Sequence, residues 1–273
     1  MTSRPKYLSH SAYSQFLRCG LQYKYERIDK VPAPPAWYFI GGRAVHLATE
    51  RMDAAGTWPY AADQLKEFWE AAFDQELDLA FREWPEDSEW RHTGRGSVEH
   101  GHDYWYNRGL LAVEAWQDWR TSPARNLEVA GVEVEIDEEL PSGIRIKGYI
   151  DRVFVDQEAG ASWALRGAGG MQGVQAHVLD LKSGTKRPSG ALQLGFYKVG
   201  LELKFPGIDV RSGAWWMAKD AKEFVVPIGQ FTADKIDYLA QDYYKAVEND
   251  IFLPNPGAEC MWCPFKKQCP YSE

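Results

Sequence analysis

Long apolar runs are missing from this chain. No stretch of its 273 residues approaches the roughly eighteen consecutive apolar positions that a membrane-spanning helix needs. The opening M-T-S-R-P-K-Y-L-S-H carries no apolar segment of the kind an export signal requires, so a cytoplasmic protein with no membrane partner is expected. No G-x-x-x-x-G-K-[ST] occurs, which excludes a built-in nucleotide-driven motor. Positive charge is not in excess either: 31 Lys and Arg stand against 39 Asp and Glu, a net charge of −8. That balance argues against coating nucleic acid by bulk electrostatics, while leaving room for a local basic channel beside a carboxylate metal site. Cysteine is scarce, with four in all, and no internal repeat is visible.

What is present is ordinary for a folded domain, with 45% hydrophobic and 26% charged residues. Aromatic residues are plentiful, including 12 Trp and 14 Tyr. Core packing accounts for most of them, and base-stacking platforms are the alternative use. Ser9 is placed to cap a short helix bearing Tyr13, Phe16 and Leu17 as an apolar stripe, with Cys19 at or just past its end. V-P-A-P-P-A reads as a rigid linker, and a second helix is expected to begin near Gly42. From about 61 to 120 the apolar period is helical, broken by a polar loop that takes in His92, His100 and His102. The period then changes to two. L-E-V-A-G-V-E-V-E-I-D and I-R-I-K-G-Y-I-D-R-V-F-V-D form an expected hairpin, and a Gly- and Ala-rich excursion spans residues 157–176. H-V-L-D-L-K resumes as a buried strand, followed by a helix, two more strands and a long helix. This order predicts one layered α/β (mixed α+β) domain over residues 1–273. A helical insertion would occupy about 51–120 and the core about 121–230.

The cysteines are lopsided. Cys19 stands alone, while Cys260, Cys263 and Cys269 form a C-x2-C-x5-C run near the other end. Two disulfides or four inert thiols are the bland reading, and a reducing compartment disfavours the first. Four thiolates complete either a tetrahedral zinc site or a cubane iron–sulfur cluster, and the tight spacing of the last three suits a cluster. Either would staple segments near 9–25 and 255–270 together.

A second constellation is hydrolytic. Asp151 and Asp180 fall on strands that can lie side by side, where two carboxylates share one hard cation such as Mg²⁺ or Mn²⁺. Lys182, two residues beyond Asp180, points to the same face and can assist phosphodiester attack. D-x-K alone is weak, since Glu202/Lys204 and Asp220/Lys222 repeat it. The apolar strand around Asp180 distinguishes it, because a buried charged pair needs compensation.

The ordered set resembles the RecB-like branch of the PD-(D/E)xK nuclease superfamily in its iron–sulfur form, similar to CRISPR-associated RecB-like exonucleases and AddB-type nuclease subunits. G-x-x-x-H-x-x-x-E is matched by Gly42, His46 and Glu50. G-x-x-D-R is matched by Gly148, Asp151 and Arg152, D-x-K by Asp180 and Lys182, and Q-x-x-x-Y by Gln193 and Tyr197. The cysteines fit the family pattern too, although Gly20 follows Cys19 where many relatives carry proline.

The resemblance implies a restriction-endonuclease-like central mixed sheet flanked by helices, with a 4Fe-4S staple held by Cys19, Cys260, Cys263 and Cys269. It implies Mg²⁺ or Mn²⁺ bound by His46, Asp151 and Asp180, with Lys182 catalytic. Glu50, Arg152, Gln193 and Tyr197 would support the site or contact DNA. Lys186 and Arg187, just past the Asp180 strand, form either a small basic cluster suited to phosphate capture or a solvated loop. The implied activity is exonucleolytic, or also endonucleolytic, on single-stranded DNA or DNA ends, in recombination, repair or CRISPR-adaptation-like processing. The protein would act alone or beside a separate helicase, recombination or CRISPR-adaptation partner. The alternative is a non-catalytic DNA-end-binding or structural subunit. Within the 157–176 excursion, Trp163 and Arg166 are candidates to meet a base and a phosphate.

Overall fold

Among its described residues, 5–93, 100–122, 127–156 and 173–272, the computed structural model holds five strands and seven α-helices. Helix α1 (His10–Arg18) starts at Ser9, whose hydroxyl accepts a hydrogen bond from the Ala12 amide at 3.2 Å. It ends at Cys19, and a short helix α2 (Gly20–Tyr23) and a wider π turn (Lys24–Ile28) follow. Leu17 does not join the expected stripe: it is exposed, and Gln15 is buried instead, hydrogen-bonded to Glu26 and Arg27.

Helix α3 (Trp37–Ala55) begins five residues before Gly42. The proline-rich stretch delays it only as far as Ala36, and burial of Trp37 and Ile40 then favours an early start. A left-handed Gly56 (φ 67°) ends it. Helices α4 (Ala62–Glu83) and α5 (His102–Arg120) pack on it. The α4–α5 contact is made through Gly109, where a Cβ would stand 2.0 Å from the Trp69 ring. His102 opens α5 instead of lying in the preceding loop, and His100 stacks on Tyr104.

Strands β1 (Leu127–Glu139) and β2 (Arg145–Asp156) form the hairpin. Strand β3 (Gln175–Lys182) starts before His177, inside the stretch read as an excursion; residues 157–172 of that excursion, with Trp163 and Arg166, lie outside the described residues. Helix α6 (Leu192–Lys204) carries the chain over to β4 (Asp209–Met217), and then come β5 (Lys222–Pro227) and α7 (Ala233–Glu248). The sheet order is β1-β2-β3-β4-β5, with β3 and β4 parallel and the other neighbours antiparallel. This is a mixed sheet of the restriction-endonuclease-like kind, and the α6 crossover is what the parallel pair demands.

Helices cover both faces. Residues of α1, α6 and α7, among them Tyr13, Leu194 and Tyr243, pack with Ile146, Val178 and Trp215. On the other face Ile40, Trp69 and Trp116 pack with Phe154, Leu179 and Trp216. Trp69, Trp90, Trp116, Trp215 and Trp216 are almost fully buried, so much of the tryptophan serves the core. No helix among the described residues is long and apolar enough to cross a membrane.

Candidate active site

The β2–β3 register sets Arg152 opposite Leu179, which makes Asp151 and Asp180 the next pair along. Both are buried. Asp151 Oδ2 accepts a hydrogen bond from the Leu181 amide at 2.6 Å and lies 3.3 Å from His46 Nδ1. Asp180 Oδ1 accepts from Tyr197 at 2.9 Å and from the Gln193 amide. Its Oδ2 faces Lys182 Nζ at 2.6 Å yet has no well-directed hydrogen bond, although it is buried. Lys182 in turn donates to Gln193 Oε1 at 2.9 Å. Gln193 and Tyr197, one turn apart on α6, therefore hold Asp180 and Lys182 from above. Tyr197 is buried with its hydroxyl turned to Asp180, not to solvent.

Helix α3 delivers His46 from the opposite layer. Gly42, one turn earlier, lets this helix approach the loop after β3, since a Cβ there would lie 2.9 Å from Ser183 Oγ. His46, Glu133 and Asp151 each offer a ligand atom, and the three atoms lie within 4.8 Å of one another. Glu133 is a site residue that the sequence pattern did not single out. It sits on β1 with a left-handed backbone (φ 46°), just past a register shift at Val129/Gly131, and between Val132 and Val134, which pair with Arg152 and Ile150, it lies across from Asp151. Glu50 is half-buried, and its charge helps raise Glu133.

The electrostatics are those of crowded acids. Burial, then the neighbouring Asp151, pushes Glu133 up to about 7. Burial also raises Asp180, reinforced by Asp151 and opposed by Lys182. For Asp151 the burial cost is outweighed by His46, the Leu181 amide and Arg152, which hold it below the usual carboxylate range. Partial burial works against a charged His46, but Asp151, Asp180 and Glu133 together raise it. A hard divalent cation relieves this crowding: oxygen donors, an imidazole and an incompletely satisfied buried carboxylate oxygen suit Mg²⁺ or Mn²⁺.

The family model of the PD-(D/E)XK nuclease superfamily matches residues 7–270. The chain belongs to this superfamily. Its relatives include the Gene 69 protein of Mycobacterium phage D29, 24% identical over 275 residues that cover 96% of this chain and 96% of that protein. The Gene 69 protein of Mycobacterium phage L5 is 24% identical over 295 residues, covering 96% of this chain and 95% of that one. The crystal structure of SSO0001 aligns with a TM-score of 0.37 at 16% identity, covering 100% of this chain and 90% of that chain.

In this nuclease-superfamily member Arg152 is not at the surface. Its side chain is 1% exposed, and its Nε donates to Asp53 Oδ2 at 2.7 Å while Nη1 donates to the Asp151 carbonyl at 2.6 Å. Asp53 also accepts from Arg120 Nε at 2.8 Å and from Trp116 Nε1 at 3.2 Å. Asp53 is thus the buried counter-charge behind β2, and sequence reasoning missed it. A signal existed: an acid in the last turn of a helix opposes the helix dipole and needs a cationic partner. Lys186 and Arg187 are exposed on the loop after β3, and the Arg187 guanidinium lies 4.9 Å from the Phe224 ring.

The four cysteines are free and half-buried. Burial raises the Cys263 thiol, and Cys19, Cys269 and Cys260 are each close enough to raise it further. Gly20 explains the missing proline: its amide donates to Leu253 O at 2.9 Å, and a Cβ would stand 2.7 Å from Leu253 N. Among the described residues, the sulfurs form no trio within 4.8 Å of one another. Tetrahedral zinc would need separations of about 3.8 Å, from Zn–S bonds near 2.3 Å.

Proposed function

We propose that this chain is a Mg²⁺- or Mn²⁺-dependent deoxyribonuclease of the RecB-like, iron–sulfur branch. On this reading it hydrolyses phosphodiester bonds in single-stranded DNA or at DNA ends. The observation that carries it is the convergence of Asp151, Asp180 and Lys182 from adjacent strands with His46 from α3. His46, Asp151 and Asp180 would hold the cation, with Glu133 in reach of the same point. When bound, the cation supplies Lewis-acid charge at the scissile phosphate. Lys182, steadied by Asp180 and Gln193, places an ammonium where negative charge develops on the phosphate oxygens. Gln193 and Tyr197 fix the Asp180 carboxylate, and Arg152 fixes the Asp151 backbone. Exposed Lys186 and Arg187 are suited to phosphate capture.

Cys19, Cys260, Cys263 and Cys269 would hold a 4Fe-4S cluster. The C-x2-C-x5-C run, with Cys19 within electrostatic reach of Cys263, supports this assignment. Its role is to staple the segment around α1 to the segment after α7. Lacking a motor motif, the protein would work on ends made by a separate helicase, recombination or CRISPR-adaptation partner. The test is incubation of end-labelled single- and double-stranded DNA with Mg²⁺, Mn²⁺ or a chelator. Metal-dependent shortening, lost in Asp180→Asn, is expected; intact DNA with both metals would overturn the reading. Protein purified without oxygen should absorb near the visible–ultraviolet edge and contain iron, whereas zinc without that band would refute the cluster.

A further inference from the structure

Phe39 is 54% exposed at the start of α3, and it lies seven residues before His46, hence on the same helix face. At the α-helical rise the two are about 10 Å apart along the axis. Arg91 closes one side of this position. Its guanidinium carbon lies 5.9 Å from the Phe39 ring and 5.7 Å from the Tyr38 ring, and it donates to the Tyr38 hydroxyl at 3.1 Å. The same Nη1 donates to the Trp262 carbonyl at 3.3 Å, which ties the cysteine segment to the first turn of α3. Trp262 is 43% exposed.

Two exposed aromatic residues and a guanidinium are thus grouped at one end of the helix face that carries His46. Burying either ring in water-free packing would be the usual use of such residues, and here neither is buried. The intervening turn bears Arg43, 58% exposed and paired with Glu76 at 2.7 Å. The Phe39 and Tyr38 rings against arginine, with exposed Trp262 tied to the same guanidinium through its carbonyl, on a helix leading to the proposed cleavage centre, match the chemistry of unpaired bases on a phosphate backbone.

Building on the nuclease reading above, we propose that Phe39 and Trp262, set around Arg91, form a base-stacking platform for single-stranded DNA about three nucleotides from the cleaved phosphate. The distance follows from about 10 Å of helix and roughly 3.4 Å per stacked base. The arrangement also gives the cysteine staple a second purpose, because it fixes the loop that presents Trp262.

The experiment measures binding of single-stranded oligothymidylate, carrying one 2-aminopurine at successive positions, to Asp180→Asn protein. Phe39→Ala in that background should weaken binding about tenfold or more and abolish fluorescence quenching at one position. Phe39→Trp should restore both. Because no phosphate contact is lost, the salt dependence of binding should stay unchanged, unlike that of a Lys186→Ala/Arg187→Ala protein. Binding of the Phe39→Ala and Trp262→Ala proteins within twofold of the parent, with quenching retained, would overturn the platform. In that case cleavage of end-labelled DNA by the protein with Asp180 intact would leave the nuclease reading standing. Absence of cleavage would remove that reading instead.

Discussion

Replacing Asp53 by alanine should be among the most damaging single changes to the fold, although Asp53 touches no proposed metal ligand. Its carboxylate is wholly buried and accepts from Arg152 and Arg120 at 2.7 and 2.8 Å, with Trp116 as a third donor. Arg152 is 1% exposed and also lies over the Trp116 ring, so it cannot swing out to water when its partner disappears. Arg120, 13% exposed, can relax partway. Stranding one buried guanidinium costs about 3–5 kcal/mol. For a chain of this size that corresponds to a fall of roughly 10 °C in melting temperature. Thermal and urea unfolding of Asp53→Ala beside the parent measure it directly. Asp53→Asn, which keeps an acceptor, should lose less. The paired change Asp53→Leu/Arg152→Met, which removes both charges, should recover much of the deficit. A melting temperature for Asp53→Ala within 2 °C of the parent (about 1 kcal/mol) would refute the reasoning, since the ion pair would then not be acting as a buried one.

Three further outcomes follow from the geometry. Asp180→Asn should abolish DNA cleavage with the melting temperature preserved, and Lys182→Ala should lower the cleavage rate on the order of 10²-fold, both read on end-labelled substrates. His10, whose pKa burial and then Lys182 lower to about 4, is held neutral in the fold against an ordinary 6.5. Its contribution is therefore complete above the ordinary value and is lost as pH falls from 6.5 toward 4. Urea midpoints for His10→Gln should show a smaller loss between pH 7 and pH 4.5 than the parent by about 1–3 kcal/mol. Cys19→Ala should lower iron content and the melting temperature together, and iron equal to that of the parent would show that Cys19 is not a ligand.

The strands and helices were legible because their periods are clean. The alternation through L-E-V-A-G-V-E and I-R-I-K-G-Y marks β1 and β2, and Ser9 and Thr232 are the caps that hydrogen-bond the starts of α1 and α7. Pairing Asp151 with Asp180 needed only adjacent strands. What escaped was everything that depends on local irregularity or on the third dimension. Glu133 alternates with its neighbours as a solvent-facing residue, and only the β1–β2 register, shifted at Val129/Gly131, sets it across from Asp151; a glycine inside a strand pattern was the available cue to that shift. Asp53 lies far in sequence from its partner Arg152 and belongs to no motif. Leu17, apolar at helical spacing, is exposed because α1 is covered on one side only.

The way the early residues are seated has a consequence for synthesis. Leu8 pairs with β2 through Arg145 O and its own carbonyl, Tyr23 meets Tyr243, Tyr244 donates to Pro5 O, and Gly20 rests on Leu253. Tyr243 lies 220 residues downstream of Tyr23. Until residues 243–253 have emerged, α1 has its β2 edge but not its α7 wall, and Phe16 and Tyr23 lack the rings they pack against. A growing chain would therefore carry Asp151 and Asp180 in an unfinished enclosure, and this side of the fold would wait on residues 243–253.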